Sequence, residues 1–308
     1  MSSGLPLELV GAVKQGFRDH HPGAGAPQLF FAPGRVNLMG AHLDYSGGAV
    51  LPAAIDRGTL IAVAPRNDGR VHFTSSLQAG EHLYELADLP QEPTGVWADY
   101  PLGVLRGILS QLDVVPEGAS LHFGGNLPIG AGLSSSASIC VGTALALDAV
   151  WGLDLEPIDH VNLALKAERE FVGVQCGIMD PYAVGLAKAG TLLWLECDEV
   201  KYEHLPFDTA RVSILVADTM VRRELATSEF NLRVDECRRA FELLKRGQPE
   251  ARCLAEMSME NLSAHADELG PILARRAGHV IAEVARTLVA REGLLAGKLE
   301  VFGAKMLE

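Results

Sequence analysis

Apolar residues at Leu7, Val10, Val13 and Phe17 recur at helical spacing, which predicts an amphipathic helix ending near His21-Pro22-Gly23. Two apolar runs between Leu29 and Ile55 then enclose a polar turn bounded by glycines. Thr59 to Ala64, Val71 to Thr74 and His82 to Leu86 read as short strands of a mixed sheet. Arg66-Asn67-Asp68-Gly69-Arg70 carries a strong hairpin-turn signal between the first pair, and Gln78-Ala79-Gly80 separates the second. Tyr100 to Leu112 returns to helical spacing, and Leu121-His122-Phe123 reads as a strand feeding a helix from about Ser134 to Trp151. Pro157 suits a helix start, and that helix runs through Val161, Leu165 and Glu168 to Phe171. Gly190 to Cys197 and Val212 to Asp218 read as strands, the latter leading into a mostly helical domain with a boundary near Leu205-Pro206-Phe207. Ala251 to Glu308 is helix-like, with Pro271 as a start signal, and no internal repeat or low-complexity segment interrupts the chain.

The strand ending at Phe123 meets its helix through Gly124-Gly125-Asn126-Leu127-Pro128-Ile129-Gly130-Ala131-Gly132-Leu133-Ser134-Ser135-Ser136-Ala137-Ser138. Gly130 and Gly132 can take positive φ and carry no side chain, so successive backbone N–H groups can converge on an anion at the positive end of the helix. The serines add hydroxyls, one of which could reach a metal. The loop has neither the lysine of G-x-x-x-x-G-K-[ST] nor the G-x-G-x-x-G spacing, so the two commonest nucleotide folds are disfavoured.

At 308 residues, with 48% hydrophobic and 21% charged residues, the chain can hold one large or two ordinary soluble domains. Its net charge of −13 argues against a nucleic-acid or anionic-membrane partner, so any anion site is made locally. Cys140, Cys176, Cys197, Cys237 and Cys253 are scattered without a C-x-x-C pair, which suits reduced thiols and assigns none to a metal. The N-terminus has no basic n-region, Glu8 interrupts its apolar run, and Ile139 to Leu147 stops at Asp148, far short of a membrane span. A cytoplasmic protein is expected; its oligomeric state is not given, and a monomer would suffice.

Pro128-x-Gly130-Ala131-Gly132-Leu133-Ser134-Ser135-Ser136-Ala137 resembles the second motif of the GHMP kinases, the superfamily of galactokinase, homoserine kinase, mevalonate kinase and phosphomevalonate kinase. Ala32-Pro33-Gly34-Arg35-Val36-Asn37-Leu38-Met39-Gly40-Ala41-His42-Leu43-Asp44-Tyr45-Ser46-Gly47-Gly48 resembles the galactokinase signature A-P-G-R-V-N-L-I-G-E-H-T-D-Y-N-G-G without gaps. Ala41 stands where the family has glutamate. Cys176-Gly177-Ile178-Met179-Asp180 is similar to the family's C-G-I-M-D-Q, with Pro181 for the glutamine, and Glu168 falls on its magnesium-site acid. Arg222, Arg223, Leu225, Ser228, Phe230, Arg233 and Cys237 resemble a further segment in which Phe230 replaces a sugar-facing tyrosine and Val234 a second arginine. The family's last glycine-rich segment has no counterpart before Glu308, so a fragment or a naturally shortened protein is expected.

The resemblance implies a two-domain α+β GHMP fold, with an N-terminal domain over residues 1–205 and a helix-rich C-terminal domain over 206–308. It implies ATP and Mg²⁺ as cofactors and a small sugar as acceptor. Gly130, Ala131, Gly132, Leu133, Ser134, Ser135, Ser136 and Ala137 would hold the phosphates, with Ser135, Ser136 and Glu168 at the metal. Asp180 would take the proton of the sugar hydroxyl, and Arg35 would favour its ionised form and stabilise the transferring charge. His42, Asp44, Gly177, Asp180 and Phe230 would line the sugar site. Three functions follow. One is a kinase acting on the anomeric hydroxyl of galactose or a related sugar, since Ala41 and Phe230 remove two polar contacts. The second is a weakly catalytic sugar- or ATP-binding regulator, against which Arg35, Glu168 and Asp180 are all retained. The third is a GHMP kinase for another alcohol, against which His42-x-Asp44-Tyr45 favours the sugar branch.

Overall fold

Leu60 to Ala64 is apolar at every position, a run that only a strand covered on both faces can bury. The computed structural model describes residues 5–217 and 229–308, and it places this run at the middle of a sheet. In chain order the elements are α1 (Leu7–His20), β1 (Gln28–Asn37), β2 (Ala49–Val50), β3 (Pro52–Pro65), β4 (Arg70–Ser75), β5 (His82–Glu85), α2 (Asp99–Leu109), β6 (Gly118–Gly125), α3 (Ser135–Trp151), α4 (Pro157–Lys166) and α5 (Met179–Leu186). There follow β7 (Thr191–Glu196), β8 (Lys201–Pro206), α6 (Glu229–Leu244), α7 (Met259–Ala264), α8 (Ala266–Leu295) and α9 (Leu299–Leu307).

The larger sheet has the order β1-β3-β6-β4-β5, and its side chains alternate between two covers. Leu60, Ala62 and Ala64 of β3 pack with Val13 and Phe17 of α1, whereas Ile61 and Val63 join Leu121 and Phe123 of β6 and the buried sides of α2, α3 and α4. The smaller sheet, β2-β7-β8, is antiparallel throughout.

Two sequence expectations about single elements need correcting. The turn at 66–70 does not close a hairpin, because β6 lies between β3 and β4, antiparallel to the first and parallel to the second. Turn residues announce a reversal but not its partner: Arg66 N–H and Gly69 N–H donate to the carbonyls of Gly118 and Glu117, at the start of β6. The span 212–217 is not a strand; Leu215 is 92% exposed, so its apolar residues have no sheet to join. Asp218 lies outside the described residues, as do Arg222, Arg223, Leu225 and Ser228. The helix from Pro157 does reach Val172, but its last stretch, Ala167–Val172, widens into a π-helical turn.

A single cut near Leu205 does not reproduce how the chain groups. One compact unit comprises Met1–Gly34, Ile55–Val174 and Val184–Leu186; the other comprises Arg35–Ala54, Gln175–Ala183 and Ala187–Glu308. The reason lies in β2, which pairs with β7 and so draws its segment into the unit formed by the later chain. Within that second unit, Gly270 (φ 66°, ψ 174°) breaks α8, and Pro271 opens its long second part as a start signal should.

Candidate active site

In the first unit the glycine-rich loop is anchored at its ends and open between them. Ser138 is fully buried; its hydroxyl donates to the Ala32 carbonyl at 2.7 Å and accepts from Thr59 N–H at 3.2 Å, which pins α3 to the sheet. Leu133 and Ala137 are buried beside it, and a Cβ on Gly34 would collide with Leu127 and the Leu133 carbonyl. Gly130 and Gly132 both have φ of 74°, yet a Cβ on either would meet nothing within 4 Å. Their requirement is therefore conformational. Ser134 also sits in the left-handed region, at φ 60°, and α3 begins with no side-chain cap and no acid in its first turn. A helix end so built leaves its positive pole for an anion. Ala131, Ser135 and Ser136 are half-buried in this loop and first turn. Ser136 Oγ donates to Glu168 Oε2 at 3.2 Å, and Glu168 is only 2% exposed. A buried carboxylate beside a hydroxyl is a hard oxygen donor set of the kind Mg²⁺ takes.

In the second unit the chemistry gathers on two segments. Arg35, near the end of β1, donates from Nε and Nη2 to the two carboxylate oxygens of Asp180, both at 2.7 Å, in a half-buried bidentate pair. Asp180 is in the first turn of α5, where the helix dipole also favours a carboxylate. Asp44 lies against this pair. Burial, and next the negative charge of Asp180, push its carboxyl up to about 6, against the opposing pull of Arg35. Gly177 is what admits Asp44: a Cβ there would overlap the Asp44 carboxylate.

His42 has φ 67° and shares a 2.8 Å hydrogen bond between its Nδ1 and the Tyr45 hydroxyl. A non-glycine residue in that region is strained by about 1–2 kcal/mol, so the surrounding contacts must hold it. Phe230 packs edge-on against Tyr45, with ring centroids 5.6 Å apart. Burial pushes the Tyr45 phenol well up, so it remains a hydroxyl. Beneath the turn, Glu283 of α8 accepts from the N–H groups of Gly40 at 2.8 Å and Ala41 at 3.1 Å, and His279 donates to the Ala41 carbonyl at 2.9 Å.

Residues 99–188 match the family pattern described as GHMP kinases N terminal domain, and residues 15–65 match the galactokinase galactose-binding signature. The galactokinase of Halalkalibacterium halodurans is 38% identical over 284 residues, spanning 91% of this chain and 71% of that protein. The chain belongs to the galactokinase family. The galactokinase of Bacillus subtilis is 37% identical, over 91% of this chain and 73% of its own length. A crystal structure of Lactococcus lactis galactokinase complexed with galactose superposes with a TM-score of 0.85 at 30% identity, covering 96% of this chain and 77% of that one. Methanococcus jannaschii mevalonate kinase, 18% identical with a TM-score of 0.55, shares the fold alone.

Membership makes the chain an ATP-using kinase of α+β GHMP fold, and neither a regulator nor a kinase for another alcohol is favoured. Gly40 to Tyr45 lie inside the matched signature, and the loop, Glu168 and Asp180 inside the matched domain. Read alone, the sequence assigns no role to Gly34 and Ser138, which stand inside the motifs, and does not single out His279 and Glu283. Glu283 did leave a signal: with Leu273, Ala277, Val280, Thr287, Ala290 and Leu294 it forms the buried stripe of α8, so an acid stands where helical periodicity calls for an apolar residue. Among the described residues no helix is long and apolar enough to cross a membrane.

Proposed function

We propose that this galactokinase-family chain transfers the γ-phosphoryl group of ATP to the anomeric hydroxyl of galactose. The observation that carries the reading is the half-buried Arg35–Asp180 pair with Asp44 packed against it, a basic group and two carboxylates in one cluster, of which burial raises the Asp44 carboxyl to about 6. Asp180 accepts the proton of the C1 hydroxyl as its oxygen forms the new bond to phosphorus, while the bond to the bridging oxygen breaks and ADP departs. Arg35 fixes the carboxylate plane and offers positive charge to the transferring phosphoryl group. Asp44, His42 and the Phe230 ring form the sugar-facing set, and Gly177 acts by making room for Asp44.

The loop from Gly130 to Ala137 binds the ATP phosphates through backbone N–H groups at the start of α3. Glu168 with Ser135 or Ser136 would hold Mg²⁺, which supplies charge neutralisation at the β- and γ-phosphates. Scattered cysteines without a C-x-x-C pair fit a cytoplasmic setting. The test is stoichiometric: ADP release over a panel of galactose, arabinose, fucose and N-acetylgalactosamine should be highest in kcat/KM for galactose. Equal release with and without sugar would refute the transfer.

A further inference from the structure

Ala41 and His42 belong to a strained turn whose own backbone bond, from Leu43 N–H to the Gly40 carbonyl at 3.1 Å, leaves the N–H groups of Gly40 and Ala41 to other partners. His42 is in the left-handed region, and the preceding Gly40 has φ of 88°. A polar turn of this kind in water is free to relax, yet here the N–H and the carbonyl of Ala41 are both engaged by one helix, from residues 242 and 238 positions later in the chain. Glu283 Oε1 accepts the N–H groups of Gly40 and Ala41, and His279 Nε2 donates to the Ala41 carbonyl. His279 and Glu283 are four apart, so they project from one face of α8 and reach the turn together. The His279 ring also meets the His42 ring edge-on, with centroids 5.8 Å apart. The other oxygen of Glu283, Oε2, accepts from Arg286 Nε at 2.8 Å, which fixes the orientation of the carboxylate. Glu283 is only 7% exposed, and both its oxygens are committed to these bonds.

We infer that Glu283, seconded by His279 and aimed by Arg286, is a positioning residue for the sugar site: it holds the 40–42 turn so that His42 and Asp44 face the acceptor. Its bonds go to the backbone of the turn and to Arg286. This role rests on the proposed galactose kinase reading. It also explains how this chain tolerates Ala41, whose side chain offers the turn nothing, since the backbone of that residue is held from α8 instead.

The role separates sugar affinity from everything else. Glu283→Ala in the full chain should raise the Kd and KM for galactose by about tenfold to a hundredfold, the scale of a misplaced binding group. ATP affinity, measured by calorimetry, should stay within about twofold, since the loop from Gly130 to Ala137 belongs to the other unit. Glu283→Gln keeps a carbonyl oxygen for the Gly40 and Ala41 N–H groups and should recover galactose affinity to within about threefold of wild type. His279→Ala should weaken galactose by a smaller factor, and it carries the test together with Glu283→Gln should Glu283→Ala fail to fold. A folded Glu283→Ala that binds galactose as wild type does would overturn the inference. So would joint loss of galactose and ATP affinity unrescued by Glu283→Gln, the mark of a merely structural residue. A wild-type chain that binds no galactose would overturn the functional reading and this role with it, whereas wild-type binding unchanged in all three variants would overturn this role alone.

Discussion

The phosphate loop and the sugar turn are both glycine-bounded, and they use glycine for opposite reasons. At Gly130 and Gly132 a Cβ would meet empty space, and only the positive φ demands glycine. At Gly177 φ lies outside the left-handed region, but a Cβ would overlap the Asp44 carboxylate; Gly40 combines a φ of 88° with a Cβ position that would strike the carbonyl of Ala49. The first region is specified by local backbone conformation, at a helix end without a side-chain cap. The second is specified by packing between segments far apart in sequence, around buried charge.

The largest effect falls on the buried charge. Asp180→Asn should lower kcat by about 10²–10⁴ and leave ATP affinity within about twofold, because the amide keeps the shape but takes no proton. Turnover equal to wild type would remove Asp180 from the mechanism. Next comes the contrast between glycines. Gly177→Ala should destabilise the fold by about 1–3 kcal/mol, as overpacking does, and raise the galactose KM about tenfold or more through displacement of Asp44. Gly132→Ala should cost only about 1–2 kcal/mol through φ, and weaken ATP rather than galactose. Urea melts with two calorimetric titrations separate these outcomes, and matching effects of the two variants on galactose would erase the distinction drawn here.

That distinction also explains what could be read from the chain alone. Gly130 to Ala137 was legible because a positive-φ glycine, a serine run and an apolar helix are contiguous. Arg35, His42, Asp44, Glu168 and Asp180 were legible through their resemblance to family motifs; nothing in their spacing would have joined Arg35 to Asp180 across the intervening chain. Glu283 left only an acid in an apolar stripe, and its partners could not be named before α8 was placed against residues 40–42. The false hairpin at 66–70 failed for a related reason, since β6 enters between its strands from a later part of the chain.

Smaller effects appear on titration, and the two units should respond with opposite sign. In the second, the Asp44 carboxyl is raised to about 6, so the fold binds a proton there more readily than the unfolded chain does. Its charge burdens the fold above pH 6, and the burden lifts as pH falls toward the ordinary carboxylate range. Galactose affinity, if it needs the ionised form, should then fall about tenfold per pH unit below 6. In Asp180→Asn that limb should move to lower pH, because one of the charges raising Asp44 is gone; an unmoved limb would assign it to another group.

In the first unit the histidines oppose this. Burial, followed by its histidine neighbours, lowers His21 to about 3, and burial lowers His122 to about 4. Thr74 links the two rings, its hydroxyl lying 2.9 Å from His21 Nε2 and 2.9 Å from His122 Nδ1. The unfolded chain therefore binds more protons between the ordinary histidine range and pH 3–4. The stability these groups give is present above about 6.5 and is lost as pH falls through that window. Hydrogen exchange from pH 7 to 4 should show α1 and β6 losing protection before α8 does; simultaneous loss would contradict the assignment.

Phosphoryl transfer to galactose can be followed in a mixture of ATP, galactose and the wild-type chain by ³¹P NMR. One sugar phosphate ester on C1 should grow in step with ADP, and about a hundredfold or more slower when Asp180→Asn replaces wild type. ADP accompanied by inorganic phosphate alone, or an ester on any other carbon, would contradict transfer to the anomeric hydroxyl.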